Sequence, residues 1–396
     1  MTELQDKKKI RNLGLLLGAV YMVSYITRIN FGAIISEMER ATGISKSLLS
    51  MSLTGSFITY GIGQVISGML GDKFSPKKLM SAGFVLTMFM NLAIPFYWML
   101  AAWCVNGFAQ SLMWPPMVRI MTVLLSPADY QKTVVTVSCG SSIGTILVYL
   151  LSPVIIATFH WKAVFWICAA GALIMLVIWQ CFGQDVPSAK REKKPGTPGN
   201  YKLLFSPMML GILLAIVLQG MLRDGVTTWM PSYIAETYDL SNVISILTGV
   251  CLPLFSIACF YIASGVYGKI FHNPLLCAGV IFSIGMAAAT GVYFLSGQGA
   301  ALSVFFSALL TGCMHGVNLM LVSMVPASFK KYGNISTVSG VVNACTYVGS
   351  ATSTYAIALV SERAGWNVTL ALWISIAALG ALICFATVKP WDRKMR

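Results

Sequence analysis

Residues 15–35 read LLLGAVYMVSYITRINFGAII, an apolar run of membrane-spanning length that contains a single cation, Arg28. Residues 211–230 read GILLAIVLQGMLRDGVTTWM and carry Arg223 in the same way. Arg223 follows Arg28 by 195 positions, which is also the offset between residues 12 and 207, near which the two apolar segments begin. Placing a guanidinium in a bilayer costs roughly 2.5–3.5 kcal/mol on insertion scales. Two such charges at matching positions of two repeats predict a binding site for an anion.

The composition around these runs predicts an integral membrane protein. The 396-residue chain is 57% hydrophobic and 10% charged, and its mean hydropathy is +0.77. Runs of near 20 apolar residues recur from end to end, long enough to cross a roughly 30 Å hydrocarbon layer. We predict an all-α membrane protein with twelve transmembrane helices, numbered here as spans 1 to 12. Their predicted limits are 12–37, 47–70, 78–97, 99–125, 131–158, 162–182, 207–235, 241–267, 274–295, 299–327, 335–360 and 366–388.

One composition break divides the chain into two halves. The stretch GQDVPSAKREKKPGTPGN, which starts at Gly183, is charged and rich in Pro and Gly, as linkers are. We therefore predict an N-terminal six-helix bundle over 1–182, a cytoplasmic linker over 183–206 and a C-terminal six-helix bundle over 207–396. The two halves are also similar in sequence at the starts of spans 6 and 12, which read WKAVFW and WNVTLALW. Two six-span halves with parallel repeats are typical of major facilitator transporters, which hold the substrate near the midplane.

The positive charge of the chain has a topological explanation. The net charge is +14, which would suit a nucleic-acid partner if the basic residues formed one patch. Instead, the predicted twelve-span topology places 21 of the 27 Lys and Arg residues on one side of the membrane and four on the other. This asymmetry predicts cytoplasmic termini, contact with anionic lipid and no nucleic-acid partner. The short loops favour a bacterial inner membrane, and we expect a monomer.

The sequence offers no signal for an enzyme. Its ten cysteines form no CxxC pair and share no metal-ligand spacing with the three histidines. We also find no nucleophile–base set and no cofactor motif. We therefore expect no catalytic residues, no metal, no cofactor and no disulfide framework.

The loop after span 2 reads GMLGDKFSPKK, from Gly68 to Lys78. It resembles the G-x-L-x-D-[RK]-x-G-[RK]-[RK] loop of the major facilitator superfamily, although Ser75 and Pro76 replace the usual Gly and first basic residue. Asp72 can accept hydrogen bonds from a neighbouring helix end, and Lys73 faces the cytoplasm. The resemblance implies that Asp72 and Lys73 take part in gating and not in substrate binding.

Three further motifs lie in spans 1, 4 and 7. They are Y-x-x-R-x-N-F from Tyr25, Q-x-x-x-W-P-P from Gln110, and R-x-G-x-x-x-W-x-P-x-Y from Arg223. Together they resemble the organophosphate:phosphate antiporter family, whose members carry glycerol-3-phosphate and hexose phosphates. The resemblance implies that Arg28 and Arg223 bind phosphate. A guanidinium suits this role because its planar fork of donors pairs two phosphate oxygens at once.

The residues around the two arginines depart from the family pattern. Members of the family carry a histidine in span 5, where this chain has Ser141 and Ser142, and a lysine in span 2, where it has Gln64. An acid expected before the span 8 proline is replaced, with Thr248 upstream of Pro253. The two-arginine core is therefore retained, while the side chains around it differ.

Polar side chains near the arginines complete the predicted site. Tyr25 lies one turn before Arg28 on the same helical face, and Asp224 is the one acid near Arg223 in sequence. In spans 10 and 11, His315 with Asn318, and Asn343 with Tyr347, are one turn apart. Hydrogen bonding between helices is the alternative role for these polar side chains. The predicted substrate contacts are Arg28, Arg223, Tyr25, Gln110, Ser141, Ser142, Asp224, His315, Asn318, Asn343 and Tyr347.

Three functions remain open from sequence. The first is exchange of an organophosphate for inorganic phosphate, in which the anion neutralises the two arginines and lets the loaded carrier switch. The second is proton-coupled symport of a carboxylated solute such as an organic or sugar acid, with Asp224 or His315 as the titrating group. The third is a transporter-like sensor of a sugar phosphate.

Overall fold

The computed structural model describes residues 4–44, 46–94, 99–186, 205–240, 248, 250–330 and 335–395. Over these residues the secondary structure is helical, apart from one isolated bridge between Tyr267 and Phe271. Seven helices within the described ranges are long and apolar enough to cross a membrane. The helical content agrees with the predicted all-α membrane protein.

The first six spans are helical close to their predicted limits. Span 1 ends at Ala33 instead of 37, because Ile34 leaves helical geometry at φ −115° and ψ 13° before a short second helix begins. Span 4 is two helices, with the break just before Pro115 and Pro116, as expected where prolines remove backbone donors. The helices are Lys7–Ala33, Ile35–Thr42, Lys46–Lys73, Pro76–Ala93, Met99–Ser111, Trp114–Leu124, Pro127–Thr158 and Trp161–Phe182.

The second half shows two irregularities. Span 10 continues from an α-helix into a π-helical turn, Leu319–Met324. Spans 11 and 12, which together make up the range Ile335–Met395, are two helices that meet at Gly365, where φ 80° and ψ 173° leave helical geometry. The predicted start of span 8, from residue 241, lies outside the described residues. The helices are Pro207–Tyr238, Cys251–Val266, Pro274–Leu295, Ala300–Asn318, Val325–Ala327 and Ile335–Met395.

Four odd-numbered spans begin with a capping residue followed by proline. Ser75, Ser126 and Ser206 each accept a hydrogen bond from the backbone N–H three residues later, and Asn273 accepts two. Capping side chains satisfy the donors that a helix start leaves unpaired, and proline at the first helical position lacks an N–H that would need a partner. These local signals fix where spans 3, 5, 7 and 9 start.

Tertiary contacts group the chain into two compact units. The first unit contains residues 1–192 and 329–344, and the second contains 193–328 and 345–396. The described contacts therefore join the first part of span 11 to the first unit, whereas sequence analysis assigns all of 207–396 to the second bundle. The division into two six-helix domains stays a prediction, and residues 187–204 of the predicted linker lie outside the described residues.

Spans that the internal repeat makes equivalent come into very close backbone contact in each unit. In the first unit, a Cβ atom on Gly140 of span 5 would overlap the carbonyl oxygen of Gly18 in span 1. In the second unit, a Cβ on Gly220 of span 7 would overlap the carbonyl oxygen of Thr346 in span 11. Glycine permits such backbone contact in membrane helices. Spans 1 and 5 are therefore packed as spans 7 and 11 are, which supports the internal repeat.

Candidate functional site

Arg28 lies among aromatic rings in the first unit. Its guanidinium carbon is 4.1 Å from the ring centroid of Tyr25 and 4.9 Å from that of Tyr60 in span 2. Arg28 and Tyr25 are half-buried, and Tyr60 is buried. A ring face stabilises a cation through its π electrons, so these contacts do not consume the planar N–H donors that bind oxygen. Tyr25, a predicted substrate contact, thus lies directly against Arg28.

An aromatic row continues from Tyr25 into span 4. The Tyr25 and Tyr21 ring centroids are 5.0 Å apart, and those of Tyr21 and Trp114 are 5.1 Å apart. Trp114 belongs to the W-P-P motif and is buried. The motif therefore supports the turn of span 1 that carries Arg28.

Gln110 sits in a buried polar layer that links spans 1, 3 and 4. Its Nε2 donates to the hydroxyl oxygens of Thr27 at 2.9 Å and Thr87 at 3.1 Å, and its Oε1 accepts from Ser24. The side chain is 1% exposed. In this structure Gln110 forms the hydrogen bonds between helices that sequence analysis set out as the alternative role, and its substrate contact stays a prediction.

Ser141 and Ser142 are buried in span 5. The Ser141 hydroxyl donates to the carbonyl oxygen of Ser138 at 2.6 Å. One turn later, a Cβ on Gly144 would lie 3.2 Å from the Cβ of Tyr25. The two serines therefore belong to the part of span 5 that packs beside the turn of Tyr25.

Arg223 forms an ion pair with its neighbour in the second unit. Its Nε donates to Asp224 Oδ1 at 2.7 Å, and its second terminal nitrogen donates to Oδ2 at 2.8 Å. The side chain of Arg223 is 10% exposed and that of Asp224 is 31% exposed. The Asp224 carboxylate thus pairs with Arg223 in the bidentate geometry that a bound phosphate or a substrate carboxylate would use.

Span 11 completes this ion-paired group. The Ser350 hydroxyl donates to Asp224 Oδ2, and the Tyr347 ring centroid is 5.9 Å from the Arg223 guanidinium carbon. Thus Tyr347, a predicted substrate contact, lies beside Arg223 as Tyr25 lies beside Arg28. Each arginine has a tyrosine ring against it, in its own unit.

The span 10 candidates lie next to this group. His315 interacts electrostatically with both Arg223 and Asp224, and its ring centroid is 5.4 Å from that of Phe260. Asn318 donates to Gln219 Oε1 at 3.5 Å. Asn343, by contrast, is buried in the part of span 11 that belongs to the first unit. The described contacts therefore bring His315 and Tyr347 to Arg223 within one unit.

Comparison with known proteins places the chain in a family. The family model described as Major Facilitator Superfamily matches residues 17–354. The chain belongs to the Major Facilitator Superfamily. It is therefore a multi-pass membrane transporter rather than an enzyme, and the predicted fold class is confirmed.

Curated relatives agree with the resemblance seen in spans 1, 4 and 7. The glycerol-3-phosphate transporter of Bacillus subtilis is 24% identical, over 95% of this chain and 91% of the relative. A probable hexose phosphate transport protein of Chlamydia trachomatis is 22% identical, over 95% and 90%. The membrane sensor protein UhpC of Salmonella typhimurium is 22% identical, over 92% and 88%. These relatives confirm the resemblance to the organophosphate:phosphate antiporter family.

The superfamily fold also appears in solved structures. The crystal structure of the major facilitator transporter FucP in its outward conformation matches with a TM-score of 0.75 and 13% identity. The match covers 98% of this chain and 99% of FucP. At that identity the match supports the fold alone.

The superfamily loop after span 2 is built around Asp72. Its carboxylate accepts from the backbone N–H groups of Ser336 at 3.1 Å and Thr337 at 2.8 Å, and from the Thr337 hydroxyl at 2.7 Å. Arg119 donates to the carbonyl oxygen of Gly71 beside it. Asp72 therefore caps the start of the span 11 helix within the first unit, where a carboxylate is favourable because it lies at a helix N-terminus. The gating role that the loop resemblance implies for Asp72 stays a prediction.

Removal of this cap should weaken the first unit. We expect Asp72→Ala to lower the free energy of unfolding by about 0.5–2 kcal/mol, the usual cost of losing a helix N-cap. Thr337→Val removes one of the three hydrogen bonds and should cost less. Both stability losses are measured by heating the protein in detergent and determining by size-exclusion chromatography how much folded protein remains. An equal loss in the two variants would contradict a cap centred on the carboxylate.

The departures from the loop pattern have a local explanation. Ser75 and Pro76 start the span 3 helix, and the Ser75 hydroxyl also donates to Asp185 Oδ2 at 2.5 Å. Lys73 is exposed and lines, with Lys78, a surface cavity of about 500 Å³. Ser75 thus performs the capping that this helix start needs, and the gating role of Lys73 stays a prediction.

Sequence analysis missed two residues of the candidate site. Tyr60 lies one turn before Gln64, which was singled out, so helical spacing could have found it. Ser350 lies three residues after Tyr347, on the same side of span 11. Neither residue type is unusual in a membrane helix, so only the helical spacing pointed to them.

Proposed function

We propose that this transporter carries a small organic anion, an organophosphate exchanged for inorganic phosphate, with Arg28 and Arg223 as anion ligands. The observation that carries the proposal is the matching placement of two arginines in spans 1 and 7. Relatives named for glycerol-3-phosphate and hexose phosphate transport support the choice of substrate class.

The chemistry of the two arginines supports an anionic ligand. A guanidinium stays charged at all physiological pH values and pairs two oxygens at once. Burying such a charge is costly unless a partner compensates it. Asp224 carries one negative charge, and Arg28 and Arg223 carry two positive ones. A phosphate with two negative charges complements two guanidinium groups.

Exchange follows from the same balance of charge. Superfamily transporters work by alternating access, in which one half of the protein rocks against the other around the substrate. A bound anion neutralises the arginines and lowers the cost of enclosing them in a low-dielectric cavity. The loaded transporter then switches quickly and the empty one slowly. Influx of one anion therefore depends on efflux of another.

Counterflow in proteoliposomes tests the proposal. We expect uptake of labelled phosphate to require inorganic phosphate inside the vesicles. We also expect glycerol-3-phosphate or a hexose phosphate to compete with it outside. Vesicles loaded with sulfate or with buffer alone are the controls. Equal uptake into vesicles with and without internal phosphate would contradict exchange.

Two other functions have a specific observation in their favour. The position of His315 beside the Arg223–Asp224 pair favours proton-coupled symport of a carboxylated solute, because Asp224 and His315 are side chains of the kind that exchange protons in membrane transporters. Uptake of gluconate driven by a pH gradient, without an internal anion, would indicate it. The relative named membrane sensor protein UhpC favours a sensor. Saturable binding of a phosphate ester without any transport would indicate that role.

The cellular setting completes the proposal. We propose a monomer in a bacterial inner membrane, with both termini in the cytoplasm, where most of the basic residues then lie. Cysteine labelling from either side of the membrane tests this orientation. A cysteine introduced at Lys7 should react only with a reagent that crosses the membrane.

A further inference from the structure

The Arg223–Asp224 pair occupies the position where the proposed ligand would bind. Asp224 accepts from two nitrogens of Arg223, at 2.7 Å and 2.8 Å. A phosphate or carboxylate ligand would use the same two-pronged geometry. Of the two side chains, the carboxylate is the more exposed, at 31% against 10%. An anion that binds these Arg223 donors must therefore displace Asp224 from them.

We propose that Asp224 is an internal competitor for the anion site and that it takes up a proton when an anion displaces it from Arg223. The inference rests on the proposed function, since it assumes that an anion binds Arg223. The displaced carboxylate loses its two donors and gains a negative neighbour. Both changes favour its neutral form. One proton from solvent converts the carboxylate to the acid, while Arg223 and the ligand keep their charges.

The groups around Asp224 support this role. From the described residues, the charged and titratable groups against it are Arg223 on its own helix, His315 on span 10 and Tyr347 near Arg223 on span 11. The Ser350 hydroxyl donates to the carboxylate. This hydroxyl can rotate and accept a hydrogen bond from the neutral acid instead, so the displaced side chain keeps a hydrogen-bond partner. Asp224 is thus a positioning and coupling residue, and Arg223 is the anion ligand.

The proposal fits exchange as well as symport. In exchange, each anion enters its site with one proton and leaves with one, so equal anions moving in opposite directions carry no net protons. In symport, the same proton travels with the solute. The Arg223–Asp224 pair therefore links anion binding to proton binding in either mode of transport.

Calorimetry of the purified full-length protein tests the inference. Glycerol-3-phosphate and gluconate are titrated at pH 7 in two buffers with different heats of ionisation, which gives the protons taken up per anion bound. We expect wild type to take up about one proton more than Asp224→Asn, because linkage ties proton uptake to the binding that displaces the carboxylate. The difference between the two proteins cancels protons taken up by the ligand.

The affinities give an independent readout. We expect Asp224→Asn to bind the anions about tenfold more tightly, because the competitor no longer lowers the binding-competent fraction. For gluconate, whose carboxylate stays ionised over this range, wild-type affinity should rise as pH falls from 8 to 6, and that of the variant should not. Glu37→Gln is the matched control, since Glu37 pairs with Arg40 at 2.7 Å on the exposed surface. It should behave as wild type.

A second variant and two further outcomes test the inference. If Asp224→Asn does not fold, Ser350→Ala keeps the carboxylate and removes its hydroxyl donor. It should bind anions more tightly than wild type, because the hydroxyl stabilises the charged carboxylate more than the displaced neutral acid. Anion binding with equal proton uptake and equal affinity in wild type and Asp224→Asn would overturn this inference alone. If neither anion binds wild type, the proposed function fails and this inference fails with it.

Discussion

Arg28→Lys should lower the rate of anion exchange at least roughly 100-fold, a loss comparable with removal of one preorganised donor from a charged site. Lysine keeps the charge but replaces a planar fork with a compact ammonium. It therefore cannot lie flat between the rings of Tyr25 and Tyr60 and still offer two parallel donors to an anion. The measurement is the initial rate of phosphate counterflow in proteoliposomes with equal amounts of protein.

Arg40→Lys is the control for this prediction. Arg40 is exposed and pairs with Glu37 through one contact, and surface pairs of this kind contribute little. Counterflow in Arg40→Lys should match wild type. Wild-type counterflow in Arg28→Lys would show that the charge alone suffices and would remove Arg28 from the proposed anion ligands.

Gly349→Ala should abolish most of the transport by separating spans 7 and 11. A Cβ at this position would overlap the carbonyl oxygen of Val217 and lie 2.9 Å from the backbone nitrogen of Met221. Both neighbours are backbone atoms of the span that carries Arg223, so no side chain can rotate away. Gly349 also lies between Tyr347 and Ser350, whose contacts to Arg223 and Asp224 would shift together.

The expected loss has two measurable parts. Overpacking of this kind costs about 1–3 kcal/mol of stability, which thermal unfolding in detergent reports. Counterflow should fall more than the amount of folded protein does, because the surviving protein carries a displaced Arg223 group. Gly265→Ala in the same unit is the matched control, since a Cβ there has no atom within 4 Å. Equal stability and counterflow in the two variants would contradict the close approach of the two spans.

The length of the apolar runs predicted most spans well. The Ser-Pro and Asn-Pro pairs at four helix starts act within one turn of the chain and were not used, although they would have placed the starts of spans 3 and 5 at Pro76 and Pro127. The end of span 1 differed, because Ile34 has no breaking residue type and only its backbone geometry shows the break. The non-helical Gly365 lies between spans 11 and 12, which sequence analysis also treated as separate helices.

The candidate site was only partly predictable. Arg28 and Arg223 stand out because a cation in an apolar span is rare and costly. The Asp224 pairing was less evident, since neighbouring residues on a helix do not usually face each other, and the length of the arginine side chain makes it possible. Gln110 could not be assigned from sequence, because its three hydrogen bonds reach spans that lie far apart in the chain. Tertiary structure decides such cases.

The cap on span 11 also bears on the order in which the chain folds. Asp72 lies 264 positions before Ser336, whose N–H it accepts. The first unit includes residues 329–344 and is otherwise complete by residue 192. During synthesis, six spans therefore enter the membrane while Asp72 still has no helix to cap, and the partner segment follows only after residues 193–328. Closure of the first unit is a late step that an isolated N-terminal half cannot reach, and contacts so distant in sequence form slowly.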